Sequence, residues 1–317
     1  MNLNKLKKLS GDASFRSFYR KKNFDQTSIF VYCKKQKKNN LLIYNSINNL
    51  LIKKKILAPK LISNKYNKNI IEIEDFGDLT IFKLLRKKKV NQMYYYKKII
   101  LLLKKFQKIK TNKLKTFLNT EYKIPNYSNK KLINEANLFL QWYSPKFLKN
   151  KNIEKKKISK IFKNLLNKLI YKKKVFIHRD FHVSNIMMTK NGLALIDNQD
   201  AVFGNIAYDL ASLIDDVRHK TNKILKDKIF NEFIKANKSL DKDKFKNDFE
   251  ILSVLRNFKI IGIFSRLSKR DRKHKYLKLI PYAWKLIENR ISDNRKFSDL
   301  KIILDKNFPG KIRNNEN

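Results

Sequence analysis

The sequence predicts a two-lobed α+β fold, with a small β-rich lobe at the N-terminus and a larger, mostly helical lobe after it. Three observations carry this. Apolar alternation dominates the first 75 or so residues, apolar recurrence every three to four residues takes over from Leu79, and one β-hairpin pattern interrupts the helical part near Ile186. The expected boundaries are 1–78 for the first lobe, 79–309 for the second and a loose polar tail over 310–317.

The elements follow in order. Ser10 to Ser14 reads as a turn. Phe15 to Lys21 and Ser28 to Lys34 read as strands. A helix is expected over Asn39 to Lys54, with Leu41, Leu42, Ile47, Leu50 and Leu51 on one side, closed by Ala58-Pro59. Leu61 to Ser63 and Ile70 to Glu74 form another strand pair, and Asp75-Phe76-Gly77-Asp78 breaks the chain. Helical stripes then run over Tyr94 to Ile109, Asn129 to Tyr143 and Ile153 to Tyr171. Ile186 to Thr189 and Leu193 to Ile196 flank Lys190-Asn191-Gly192, and Asn-Gly between apolar runs is a strong hairpin signal. Helices resume over Tyr208 to His219, Lys223 to Ala236, Lys242 to Leu267 and Pro281 to Arg290.

Composition limits the function classes. Hydrophobic residues make up 42% of the chain, which is enough for a packed core and argues against wholesale disorder. The lone cysteine, Cys33, excludes an internal disulfide framework and sits in strand-like sequence. No apolar run reaches membrane-spanning or signal-peptide length, so a cytoplasmic location is the default expectation. Lys+Arg of 74 against Asp+Glu of 27 gives a net charge of +47. The lysines are spread from end to end among Asn and Ile, which reads as a solvated surface with no specific nucleic-acid site. The oligomeric state is left open.

The segment FIHRDFHVSNIMMTKNGLALIDNQD, residues 176 to 200, carries the chemistry. Asp180, Asn185 and Asp197 stand out in apolar surroundings, where unpaired charge is costly. Phosphoryl transfer needs a positioned hydroxyl, a metal on phosphate oxygens and compensation for negative charge. Asp180 is placed to accept a hydroxyl proton. An antiparallel hairpin brings Asn185, at its entry, beside Asp197, at its exit, and Mg²⁺ takes just such a sparse oxygen set.

These residues resemble the catalytic and metal-binding segments of the aminoglycoside phosphotransferase and choline kinase superfamily, kin of the protein kinases. Gly11 to Arg16, Glu74 to Asp78, Phe139 to Tyr143, Asp200 to Gly204 with Tyr208 to Leu210, and Leu255-Arg256-Asn257 through Arg270-Asp271 narrow the resemblance. They are similar to the bacterial N-acetylmuramate/N-acetylglucosamine anomeric kinases of cell-wall recycling. The resemblance implies a protein-kinase-like fold and an ATP- and Mg²⁺-dependent transfer to a small-molecule sugar substrate. It implies Asp180 as the catalytic residue and Asn185 and Asp197 as metal ligands. It places Gly11, Ser14, Phe15 and Arg16 over the ATP phosphates and Glu74, Asp75 and Phe76 at the adenine. It gives His178 and Asp209 loop-bracing roles, and His182, Asp200, Trp142 and Arg256 contacts with substrate. A kinase of choline, another sugar or an aminoglycoside, and a non-catalytic nucleotide-binding pseudokinase, remain as alternatives. Two departures stand out. No glutamate occurs in 36–58 to pair with Lys34 or Lys35, and Asn198 replaces an aromatic residue after the metal aspartate.

Overall fold

A computed structural model describes residues 6–9, 16–23, 26–148 and 151–314. The chain divides into two compact units, Met1–Pro125 with Val175–Phe203, and Asn126–Lys174 with Gly204–Asn317.

The first unit is built on a five-stranded antiparallel sheet. Its strands are β1 (Lys7–Leu9), β2 (Arg16–Asn23), β3 (Gln26–Cys33), β4 (Leu61–Lys65) and β5 (Ile70–Glu74), in the order β1-β2-β3-β5-β4. Alternation puts Ile29, Val31 and Cys33 of β3 on one face with Ile71 and Ile73 of β5, and α1 (Asn39–Lys53) covers them with Leu41 and Tyr44. Cys33 is fully buried in this core.

Past β5, α2 (Ile81–Leu85) and α3 (Gln92–Gln107) start at side-chain caps, Thr80 accepting from the Lys83 amide and Asn91 from that of Tyr94. A short hairpin follows, β6 (Lys113–Lys115) with β7 (Glu121–Lys123). The second unit then contributes α4 (Asn129–Ala136) and α5 (Lys151–Asn167), before β8 (Lys174–Ile177). The predicted hairpin is β9 (Ile186–Thr189) with β10 (Gly192–Leu195), and Gly192 supplies the positive φ of 114° at its turn. It is followed by β11 (Val202–Asn205).

The rest of the second unit is helical, with α6 (Tyr208–Ile214), α7 (Lys223–Ala236), α8 (Lys242–Asp271), α9 (Ile280–Ile291), α10 (Ser298–Asn307) and α11 (Gly310–Arg313). Helix α8 is its axis. Asp241 caps its start by accepting from the amides of Asp243 and Lys244, and Arg272 in the left-handed conformation ends it. At Gly262 a Cβ would lie 2.3 Å from the Leu138 carbonyl carbon and 2.4 Å from the Phe139 nitrogen. The missing side chain is what lets α8 lie against that backbone.

Two expectations change here. The predicted helix over Asn129 to Tyr143 stops at Ala136 and resumes as a π-turn over Phe139–Tyr143. The tail is not loose over its described part. Arg313 is buried, pairs with Glu288 at 2.8 Å and Asp305 at 2.7 Å, and stands over the Trp284 ring, while Tyr143 donates to the Ile312 carbonyl. Polar composition suggested a free end, but three ionic and aromatic partners hold it.

Candidate active site

Within the first unit, β9 and β10 pair in the register Ile186↔Leu195, Met187↔Ala194, Met188↔Leu193. The pairing extends one step past the strands, where the Ile196 amide donates to the Asn185 carbonyl at 3.1 Å. Asn185 and Asp197 therefore stand at the open end of one hairpin. Asp197 takes φ 65°, a conformation that Asp tolerates better than most residues, and the chain leaves β10 sharply there.

The loop before β9 is tied to itself. The Asp180 carbonyl accepts from the His182 amide at 3.0 Å and from the Asn185 side-chain Nδ2 at 3.0 Å. That bond fixes the amide orientation and leaves Oδ1 of Asn185 as its acceptor end. His178 is fully buried. Its Nε2 faces two acceptors, the Ile196 carbonyl at 3.2 Å and Asn198 Oδ1 at 3.0 Å, so that nitrogen carries the hydrogen. His182 is buried and its Nε2 lies 3.5 Å from Asn185 Nδ2.

Asn198 is the residue whose role sequence reasoning missed. Its Nδ2 donates to Leu195 O at 2.9 Å and to Asn48 Oδ1 on α1 at 3.0 Å, and Asn48 Nδ2 donates in turn to Pro59 O at 3.1 Å. Asn48 and Asn198 are 1% and 0% exposed, so these bonds lie in a dry environment where unpaired amides would be costly. A buried amide bridge thus joins α1 to the segment after Asp197. Helix α1 carries no acidic residue to do this by ion pairing. The sequence signal was the pair of departures noted above, the absent glutamate and the asparagine in an aromatic position.

Arg16, on β2, donates from Nη2 to Asp197 Oδ1 at 2.6 Å. Its guanidinium is almost wholly enclosed, standing 5.5 Å from the Tyr44 ring centroid and 5.7 Å from that of Phe18, while Asp197 is about a third exposed. Burial pushes the Tyr44 hydroxyl up to about 12, despite the nearby Arg16 charge. Oδ1 of Asp197 also accepts from Gln199 Nε2 at 3.3 Å, and Oδ2 has no hydrogen-bond partner among the described residues. Asp200 is exposed, accepts from Gln199 at 2.8 Å and lies 3.8 Å from Arg179 Nη1.

A second arginine four positions along β2 organises the segment after β5. Arg20 pairs with Asp75 at 2.6 Å and Asp78 at 2.9 Å, and donates to the Gly77 carbonyl at 3.1 Å. The Asp75 side chain is committed to this staple, and Gly77 turns the chain at φ 78°. Glu74 pairs back along β4 through Lys60. A cavity of about 600 Å³ in this unit is lined by Ile56, Leu57, Lys60, Glu74, Phe76 and Met188. Its lining also includes Thr189, Lys190 and Asn191, at the turn end of the hairpin, the end opposite Asn185 and Asp197.

Gly11, Ser14 and Phe15 lie outside the described residues. Trp142, Asp209 and Arg256 belong to the second unit. Trp142 is half-buried on the π-turn, Asp209 is fully buried in the first turn of α6, and Arg256 is buried on α8. Tyr143, next to Trp142, is core: it accepts from Trp284 Nε1 at 3.1 Å and packs among Phe139, Phe147 and Phe308.

A divalent cation would be held by Asn185 Oδ1 and Asp197 Oδ2. The donors fit Mg²⁺, because both are oxygens, one is charged and the set is sparse enough to leave positions for phosphate and water. Arg16 is the local competitor for Asp197. Among the described residues no group of three His, Cys, Asp or Glu side chains is placed to hold a metal.

Comparison with known proteins finds similar sequences and a similar fold. Residues 87–235 match the phosphotransferase enzyme family, APH. Over 166 residues the chain is 34% identical to an N-acetylmuramate/N-acetylglucosamine kinase of Neisseria meningitidis serogroup B, a match spanning 50% of each protein. It is 22% identical to the protein of the same name from Pseudomonas putida, across 92% of this chain and 85% of that one. The fold matches the GDP and kanamycin complex of APH(2")-IIia with a TM-score of 0.62 at 12% identity, covering 93% of this chain and 95% of the other. Among the described residues no helix is long and apolar enough to cross a membrane. Residues 87–235 thus match the phosphotransferase enzyme family within a kinase-like α+β fold, and this match together with the kinase-named relatives supports a small-molecule phosphotransferase.

Proposed function

We propose that the chain transfers the γ-phosphate of ATP to a sugar, at the anomeric hydroxyl of N-acetylmuramate or N-acetylglucosamine. The observation that carries the reading is the convergence of Asn185 and Asp197 at one hairpin end, with the Asp180 backbone bonded to the Asn185 side chain. The names of the sequence relatives support the acceptor, and the GDP complex of the structural relative supports a nucleotide.

Asp180 orients the sugar hydroxyl and accepts its proton as the bond to phosphorus forms. Asn185 and Asp197 hold Mg²⁺, which neutralises phosphate charge when bound. Arg16 lies within reach of the same carboxylate and supplies positive charge on that side, where no Lys–Glu pair is available. Catalysis of this kind is a matter of positioning and electrostatics.

The test is ADP release with a panel of amino sugars, with the product linkage read by phosphorus NMR. Asp180→Ala should lower sugar-dependent turnover by at least a thousandfold, on the order of a lost general base plus a misplaced hydroxyl, and leave nucleotide affinity within a few-fold. Turnover at the wild-type rate in this variant removes Asp180 from the mechanism, and phosphate on a non-anomeric oxygen removes the acceptor assignment.

A further inference from the structure

Asp215, just past α6, is 1% exposed and holds two cations at once, Lys226 Nζ of α7 at 2.7 Å and Arg290 Nη2 of α9 at 3.0 Å. Ser253 of α8 donates to it at 2.5 Å. The next carboxylate along, Asp216, lies 4.0 Å from a cation of its own, Arg218. Two cations on one buried carboxylate leave a positive charge over, and Lys226 is itself only 9% exposed. Uncompensated charge is costly in such surroundings, so a further anion would stabilise the group.

A cavity of about 50 Å³ lies beside this group, and Lys226 and Arg290 both line it. Its apolar walls are Ile214, Phe230 and Phe249, and the Arg290 guanidinium stands 4.8 Å from the Phe249 ring centroid. Lys246 of α8 and Asp227 of α7 complete the lining. Both are exposed, and neither makes an ion pair among the described residues. Donors remain to be used here. Arg290 spends Nε and Nη2 on Asp215, and its Nη1 makes no hydrogen bond among the described residues. Lys226 gives one of its N–H groups to Asp215 and keeps the others. Donors carried by three different helices suit a ligand with several acceptor oxygens, and apolar walls strengthen its attraction to them. A volume of about 50 Å³ admits one such ion and no sugar ring.

We propose that this cavity binds one tetrahedral oxyanion of the phosphate class, held by Lys226, Lys246 and Arg290 and tying α7, α8 and α9 together. The ion is free phosphate, or the phosphate group of a monoester whose remainder stays outside. Every residue of the site belongs to the second unit, and the proposal stands apart from the transfer reaction above.

Thermal unfolding of the full chain is followed by indole fluorescence, which reports on the second unit through Trp142 and Trp284. Sodium phosphate is titrated against sodium chloride at equal ionic strength. Phosphate at ten times its Kd should raise the unfolding temperature by about 3–6 °C over chloride. Lys246→Glu has no ion pair to lose, so without phosphate it should unfold near the wild-type temperature, and it should weaken phosphate roughly tenfold. Arg290→Lys keeps a cation for Asp215 but loses the planar fork, and phosphate should weaken by roughly the same factor. Lys246→Glu decides alone if Arg290→Lys fails to fold. Asp227→Asn removes a competing charge and should tighten phosphate roughly two- to threefold. Lys228→Glu makes the same change in charge on α7, outside the cavity, and should bind phosphate as the wild type does. Equal weakening in Lys228→Glu and Lys246→Glu, or none in Lys246→Glu, means that the ion is spread over a positive surface, and overturns the proposal. An equal rise in chloride makes the effect one of screening and also overturns it. Glycerol 2-phosphate, run in parallel, separates the two sources: stabilisation equal to that by phosphate supports a monoester, and stabilisation by phosphate alone supports the free ion.

Discussion

The amide bridge between Asn48 and Asn198 yields a prediction with a computable size. Asn198→Leu keeps the volume and removes the polar end. It strands two buried acceptors, Asn48 Oδ1 and Leu195 O, while His178 Nε2 keeps the Ile196 carbonyl. At about 1–3 kcal/mol for each stranded group, the cost is about 2–6 kcal/mol. Asn48→Leu strands one hydrogen of Asn198 and the Pro59 carbonyl, for a cost of similar order. In the double variant the two leucines face each other, and the bond they share is lost only once. The cycle should therefore show a coupling of about 1–2 kcal/mol. Urea unfolding followed by far-UV circular dichroism measures it. Both tryptophans of the chain, Trp142 and Trp284, belong to the second unit, so indole fluorescence monitors that unit separately. The lesion should appear in the dichroism transition before it appears in fluorescence. Sugar-dependent turnover should fall in each single variant, since the bridge sets the segment that follows Asp197. Costs that add to within ~0.3 kcal/mol, with wild-type turnover, would refute the idea that the bridge couples α1 to that segment.

Two further perturbations address the second unit. Burial raises the Asp215 carboxyl, but Arg290 and Lys226 outweigh it and hold the group down at about 2, below its ordinary 3.8. The folded value is the lower one, so the stabilisation is complete above the ordinary value and is lost as pH falls through about 2. It amounts to about 2 kcal/mol from a shift of that size. Asp215→Asn should flatten that part of the acid-unfolding curve and cost about 3–5 kcal/mol at pH 7, because Lys226 and Arg290 lose their acceptor; an unchanged acid limb contradicts it. Gly262→Ala puts a methyl 2.3 Å from backbone that cannot yield like a side chain, so the second unit should lose about 2–4 kcal/mol by indole fluorescence in urea. An unaltered transition would mean α8 does not lie where described.

Sequence legibility followed contact range. The β9–β10 hairpin was readable because its turn residues, Asn191 and Gly192, and its pairing lie within a dozen positions, and that local pairing brings Asn185 to Asp197. The long helix over Lys242 to Leu267 was readable by its apolar stripe and ends only four residues later, at Asp271. Strand β1, Lys7–Leu9, was not: two lysines in a three-residue strand carry no alternation, and it exists because β2 offers an edge. The ties that matter most around the candidate site are the least local. Arg16 meets Asp197 across 181 positions and Asn48 meets Asn198 across 150. Each residue type is unremarkable alone, and no periodicity encodes a partner so far away. Arg313 was missed for the same reason, since its polar neighbours suggest an end in water until Glu288, Asp305 and Trp284 are seen around it.

The Arg16–Asp197 pair has a consequence for the order in which ligands arrive. Under the proposed role of Asp197, a cation on Oδ2 shares its carboxylate with an enclosed guanidinium that already holds Oδ1, so two positive charges meet on one anion. A nucleotide phosphate arriving with the cation adds the negative charge that this meeting lacks. On that reading the metal–nucleotide pair binds more readily than the bare cation.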